Sequence, residues 1–311
     1  MAFIVKSSIG RVMYKPTVLK NLIRLALPVA TTVFLVFLAI FLCSSLALGI
    51  APEREEPEAE PRSQNTPQLY VGGGLSSFSY TEYSRKGSFF MSEKGVLPLL
   101  SLSTSLPMIE GSYLLAEGKV HWGGLTYQGA TQNGVPLEDL PTRDALLSGD
   151  LFVVYPYSDG GVSIEPYGGW RSRYWFDEII HDDYGYRREV TQSFVTGGMN
   201  IYVKPTPNFS VGLGGDFSAL SYGRVKSHLS DADKYFNDPV VKQTEGIGYR
   251  LQLSASSSLP QAEISARAHI QIWDVPQSEK DLLTYKNEPY ASVVEPQNFT
   301  KMLGLELRIS F

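Results

Sequence analysis

Few residues of this chain combine a reactive type with a spacing that could do chemistry. His181 is followed directly by Asp182 and Asp183 in the stretch FDEIIHDDYGYRRE. A carboxylate that orients an imidazole makes it a general base able to activate water, so this run is the candidate for hydrolysis. A general base also needs partners that fix its geometry. A bare His-Asp-Asp run in a polar segment supplies none, and the expectation is solvated loop charge with no catalytic residue. No G-x-S-x-G elbow, H-E-x-x-H pair or phosphate-binding loop occurs. Gly72, Gly73 and Gly74 are consecutive within an extended segment, where glycine marks a bend or close packing rather than a phosphate cradle. His121 and His269 lie far apart in the chain with no partner set for a metal. The single cysteine, Cys43, excludes disulfides within the chain and thiolate-rich zinc centres. Neither a cofactor nor a metal is expected on these grounds.

A second group of charges has a different logic. Glu117, Lys119, His121, Glu165, Arg171, Arg173, Asp216, Arg250, Glu263, Arg267, Glu306 and Arg308 fall at alternate positions of segments whose other row is largely apolar. At the carboxyl end Leu303, Leu305, Leu307, Ile309 and Phe311 interleave with Met302, Gly304, Glu306, Arg308 and Ser310. Ile264, Ala266, Ala268, Ile270 and Ile272 do the same against Glu263, Ser265, Arg267, His269 and Gln271. Period two is the signature of a strand with one polar and one apolar face. A soluble sandwich alternates in the same way, so periodicity alone does not identify the solvent.

The connections identify it. Candidate strands at 69–84, 96–106, 112–128, 149–157, 163–176, 189–204, 209–226, 245–257, 262–275 and 300–311 make ten, with eight as the alternative count. The links PMIEG, SDGGV, PTPN and SLPQ are short and carry proline or glycine turn chemistry. They alternate with longer links, of which 129–148, 227–244 and 276–299 are the largest. Tight turns at one end, long loops at the other and an even number of strands are the pattern of a transmembrane antiparallel up-and-down β-barrel. In lipid the sheet must close, because an open edge leaves backbone groups unpaired. The apolar rows then face lipid and the charges point into the lumen. Trp122, Trp170, Tyr155, Tyr174 and Phe209 fall where interfacial girdles occur. Ten strands enclose a narrow space, and opposed charges within it are expected to pair into a plug rather than line an ion pathway.

The amino terminus reads as an export address. Five basic residues precede an uncharged apolar stretch from Leu25 to Ala51, so 1–50 is expected to be a signal peptide or an apolar anchor. Residues 51–68, acidic and proline-rich, form a linker, and 69–311 is the barrel. The net charge of the whole chain is −5, and the first 50 residues carry base but no acid. An acidic remainder argues against nucleic acid as a partner, because phosphate binding is driven by Lys and Arg.

The segments EPYGGWRSRYWF, GLGGDFSALSYGRV, GYRLQLSAS, VVEPQN and LGLELRISF resemble the small outer-membrane β-barrel proteins of Gram-negative bacteria. The resemblance implies an outer-membrane location at the cell surface, with outer-membrane lipids as surroundings. It also implies that the terminal Phe311 is a sorting signal read by the barrel-assembly machinery. The expected role is structural, or interaction with an extracellular ligand or host surface through the loops. The alternatives are a narrow, porin-like channel, and a rim-site hydrolase of the omptin type on the His181 loop.

Overall fold

A computed structural model describes residues 67–84, 87–130, 136–181 and 185–310. The expected signal segment, the linker to residue 66, Asp182, Asp183 and Phe311 lie outside the described residues. The strands are β1 (Gln68–Tyr83), β2 (Phe89–Pro107), β3 (Tyr113–Gly123), β4 (Thr126–Ala130), β5 (Pro136–Val154), β6 (Tyr157–Asp159), β7 (Val162–Ile179), β8 (Arg187–Thr206), β9 (Phe209–His228), β10 (Val240–Gln243), β11 (Ile247–Ser258), β12 (Glu263–Val275), β13 (Asp281–Tyr285), β14 (Glu288–Val293) and β15 (Gln297–Ser310).

Ten staves close into an antiparallel barrel. Each pairs with its neighbour in sequence, with β3 and β4 forming one stave. The first strand then pairs with the last, from Tyr70↔Ser310 to Tyr83↔Gln297. The barrel and its strand number match the expectation, but the boundaries do not. The stretch 129–148, read as a loop, is for the most part the outer half of β5, paired as far as Thr142↔Ile179. The loops at 227–244 and 276–299 carry the short strands β10, β13 and β14. The loop at 176–189 shrinks, because β7 runs to Ile179 and β8 begins at Arg187. These extensions are polar on the outward row, and a strand read from an apolar row stops where the lipid stops.

Parity assigns the faces as expected. Leu75, Val96, Leu100, Leu102, Leu147, Leu151, Val195, Leu213, Leu251, Leu305 and Leu307 are all exposed on the outer surface. Trp122, Trp170 and Tyr155 are exposed with them. So large an apolar surface, with strands long enough to cross, is built for hydrocarbon. The belt ends near Leu75 on β1, Val96 on β2 and Leu303 on β15, and above it the outward row turns to Ser77, Ser79 and Thr81.

Two glycine features position the staves. Gly160 and Gly161 have φ of 56° and 85°, the left-handed pair that a tight hairpin turn requires. In β1, a Cβ on Gly72 would lie 2.5 Å from Ser101 Oγ and 2.8 Å from Arg308 Cγ. The glycine run is therefore a place of close packing, where long lumenal side chains of β15 cross the wall.

Candidate functional site

The lumen is filled in layers. The first is a mixed-charge network whose members come from β3, β5, β7, β9, β11, β12 and β15. Arg171 on β7 forks onto Asp150 of β5 at 2.9 and 3.0 Å and onto Asp216 of β9 at 2.9 and 3.2 Å. Arg250 on β11 donates to the same Asp216 at 2.7 Å and to Asp150 at 3.3 Å. Tyr167 completes the cluster by donating to Asp216 at 2.9 Å. Beside it Glu117 on β3 receives Arg267 at 2.8 Å, Lys119 at 3.6 Å and Arg308 at 3.6 Å. Lys119 also reaches Glu306 at 3.3 Å, and Arg308 lies 3.5 Å from the same carboxylate. Planar guanidinium forks are matched to carboxylates, which makes these pairs directional as well as charged.

Of the residues expected in this network, Glu117, Lys119, Arg171, Asp216, Arg250, Arg267, Glu306 and Arg308 lie in ion-pair contact with one another or with Asp150. Three stand apart from that picture. Glu165 sits lower and accepts a bond from Tyr113 at 2.9 Å. Glu263 lies half-buried at the short-turn end of β12, opposite Ser310. Arg173 is held by Gln192 at 2.5 Å and by the ring of Trp273 at 4.4 Å, not by a carboxylate. His121 and His269 are buried at this depth, beside a small cavity of about 20 Å³.

Above the network comes a layer that the alternating pattern did not predict. Phe78, Leu97, Leu146, Trp175, Phe194, Trp273 and Met302 form an apolar core inside the barrel. On β5 and β8 both rows are apolar there, as with Leu146 beside Leu147 and Phe194 beside Val195, and such an apolar residue on the inner row carries no sign of its side.

The third layer lies above the lipid belt and centres on Arg188 of β8. Its guanidinium contacts Glu82 at 2.7 Å, Asp177 at 3.0 Å, Glu295 at 3.3 Å and Glu93 at 3.4 Å. Tyr80 and Trp175 each present a ring face 4.9 Å away. Asp144, which accepts a 2.9 Å bond from the Trp175 indole, brings the carboxylates to five. None of these was assigned to the lumen from the sequence, and neither was Asp150. The signal was present: Asp177 shares the parity of Arg171 and Arg173, and Asp144 and Asp150 share that of Leu146 and Phe152.

Glu295, in the link between β14 and β15, also accepts a bond from Tyr80 at 2.7 Å. Burial, and then the neighbouring Glu82, push its carboxyl up to about 7. A carboxyl raised in the folded state binds a proton that the unfolded chain has already lost. Its effect is therefore to make stability increase as pH falls from about 7 towards the ordinary Glu value near 4.3. Glu295→Gln should flatten that slope and raise the unfolding midpoint at pH 7.5, read by urea titration at both ends of the interval. An unchanged slope would remove Glu295 as its source.

At the long-loop rim two loops fold onto each other. Phe236 forms a β-bridge with Tyr285, and Lys286 N–H donates to the Tyr235 carbonyl at 2.9 Å. Asn237 donates to the Leu282 carbonyl at 3.1 Å and accepts from Thr284 N–H at 2.7 Å. Phe236 packs against Tyr285 and Tyr290 with centroids 5.0 and 5.6 Å apart, and Lys286 lies 5.1 Å from the Tyr235 ring. Lys286 and Asn287 both adopt positive φ, at 53° and 65°, in the two-residue turn between β13 and β14. Tyr235, Leu282 and Tyr290 remain exposed on this platform. Near it, His228 has both ring nitrogens engaged, by Glu189 at 2.6 Å and Asp238 at 3.1 Å. His181 lies at the end of β7 and its backbone carbonyl accepts from Gly185.

No family model and no curated protein sequence matches the chain. Among solved structures, the outer membrane protease OmpT from Escherichia coli superposes with a TM-score of 0.55 at 11% identity, over 83% of this chain and 99% of that one. The translocator domain of the autotransporter NalP from Neisseria meningitidis gives 0.36 at 11% identity, over 89% and 97%. The closed ten-stave wall, the outward apolar belt and the match over nearly the whole of OmpT agree, and the fold is that of the small outer-membrane β-barrel proteins.

Proposed function

We propose that this protein is a plugged barrel of the Gram-negative outer membrane, serving as a rigid stand for an extracellular recognition surface. The observation that carries this reading is the contrast between the two ends of the molecule. Among the described residues the lumen is occupied by ion pairs, then by aromatic and aliphatic side chains, then by the Arg188 cluster, an order that supports a plug. The loops above it are tied by backbone bonds into a surface that presents Tyr235, Tyr290 and Leu282. Exposed aromatic residues on a preorganised backbone are what a binding surface needs, since little freedom is lost when a partner docks. The partner is an extracellular ligand or host surface.

The test has two arms. The purified full chain in a planar bilayer should give no stepwise conductance. Deleting 281–291 should abolish surface binding by expressing cells while the folded, heat-modifiable species persists, because a shorter link can still join β12 to β15. Conductance of native channels, or binding that survives the deletion, would overturn the proposal. The likeness to OmpT raises hydrolysis as a rival reading. His228, engaged on both nitrogens, is poorly placed to serve as a base, and His181→Ala is expected to leave any hydrolysis by whole cells unchanged.

A further inference from the structure

The Arg188 layer is out of charge balance. Five carboxylates, Glu82, Glu93, Asp144, Asp177 and Glu295, surround a single guanidinium. Ionised carboxylates do not remain buried in such excess without a further positive charge or protons. The next cation below, Arg173, is committed to Gln192 and Trp273.

Two atoms mark where that charge is missing. Glu93 and Asp177 are 0% and 2% exposed, and each gives one oxygen to Arg188. The other oxygen of each, Glu93 Oε2 and Asp177 Oδ1, is buried without a hydrogen-bond donor. A buried acceptor of full negative charge with no donor is costly, and an unplaced ion is one of its ordinary explanations. Asp144 lies with them, and one carboxylate oxygen from each of the three falls within 4.8 Å of the others.

We propose that Glu93, Asp144 and Asp177 bind a divalent cation of the calcium class. The donor set contains oxygen only, which selects hard cations over zinc or copper. The three oxygens lie within 4.8 Å of one another, close enough for one ion to contact all three. Mg²⁺ usually keeps several of its waters, and a site lined by three buried side chains leaves little room for them, which favours Ca²⁺. The ligands come from β2, β5 and β7, so the ion would tie those strands together. Asp144 is already oriented for the task. It accepts from the Trp175 indole and from Thr142 Oγ1, and Thr142 in turn accepts from Leu125 N–H at 3.0 Å. Such outer bonds fix a ligating carboxylate before the ion arrives. A small cavity of about 40 Å³ lined by Glu82, Tyr127, Tyr186 and Glu295 reaches Arg188, the neighbour of these carboxylates.

The indole bonded to Asp144 supplies the assay. Terbium, a luminescent substitute for calcium, should give emission sensitised through Trp175 when added to the full chain refolded in detergent without lipopolysaccharide. That emission should saturate and be displaced by Ca²⁺ at far lower concentration than by Mg²⁺. Glu93→Gln and Asp177→Asn should weaken the ion's affinity by about 100-fold or more, since even outer-sphere changes cost 10–100-fold. Trp175→Phe should dim the emission yet keep a calcium-dependent rise in melting temperature. Absence of saturable emission from the wild-type chain overturns the proposal, and this arm does not depend on any variant folding. It also fails if calcium raises the melting temperature of Asp177→Asn as much as that of the wild type, or if the orphaned oxygens prove to share a proton and no metal dependence appears.

Discussion

Arg188→Met is expected to be among the most damaging single substitutions in this barrel, costing about 3–5 kcal/mol, the penalty for breaking a buried pair from one side. The guanidinium meets four carboxylates and two aromatic faces, and its side chain is 4% exposed. Methionine retains the stacking volume against Tyr80 and Trp175 but leaves five acidic side chains facing one another. The loss should therefore be electrostatic, largest near neutral pH and partly recovered in mild acid, where some of those carboxylates are protonated. Urea unfolding at pH 7.5 and pH 5.5, followed by the mobility shift of heated and unheated samples, separates this from a packing defect, which would be the same at both values.

The second large effect is expected at Asp216. Its carboxylate is wholly buried and collects Arg171, Arg250 and Tyr167, so Asp216→Asn leaves two guanidinium groups sharing Asp150 alone. The side chain keeps its shape, and the cost, again about 3–5 kcal/mol, is the price of unpaired buried charge. Arg267→Met makes the comparison informative. Arg267 is 17% exposed at its side chain and pairs at 2.8 Å with Glu117, which also contacts Lys119 and Arg308. With water and two other cations available to Glu117, its removal should cost clearly less than the loss of Asp216. Equal losses would mean that the lumen behaves as a single cooperative unit rather than as separable clusters.

The wall of this barrel was legible because lipid imposes one rule on every stave. Leu303, Leu305 and Leu307 on β15 or Ile264, Ala266 and Ile270 on β12 announce their side by alternation, and the opposite row then has to hold the charges. Where lipid ends, that rule ends with it. The outward row of β5 passes from Leu147 and Ala145 to Arg143, so the sequence looks like loop while the ladder continues. Glu93, Asp144, Asp177 and Arg188 were hidden in such continuations, whereas Glu82 fell inside the strand read at 69–84 and was passed over. The inner apolar layer was hidden for a different reason: Phe194 beside Val195 and Leu146 beside Leu147 give no polar contrast to read. Loop structure was the least accessible of all, since the bridge between Phe236 and Tyr285 joins residues that no local pattern connects.

The seam between β1 and β15 has a further consequence, for the order of events during assembly. Tyr70 meets Ser310 and Tyr83 meets Gln297, so the contacts that close the wall join the two ends of the barrel sequence. Every other stave pairs with one that is near it along the chain and can form as a hairpin. The seam cannot, and the loop-closure entropy of nearly the whole domain must be met before its first contact is made. Until then β1 and β15 are open edges exposed to any strand nearby. A nascent chain interrupted before β15 would therefore lack more than one stave: it would keep two permanent edges, and its natural fate is pairing with another molecule.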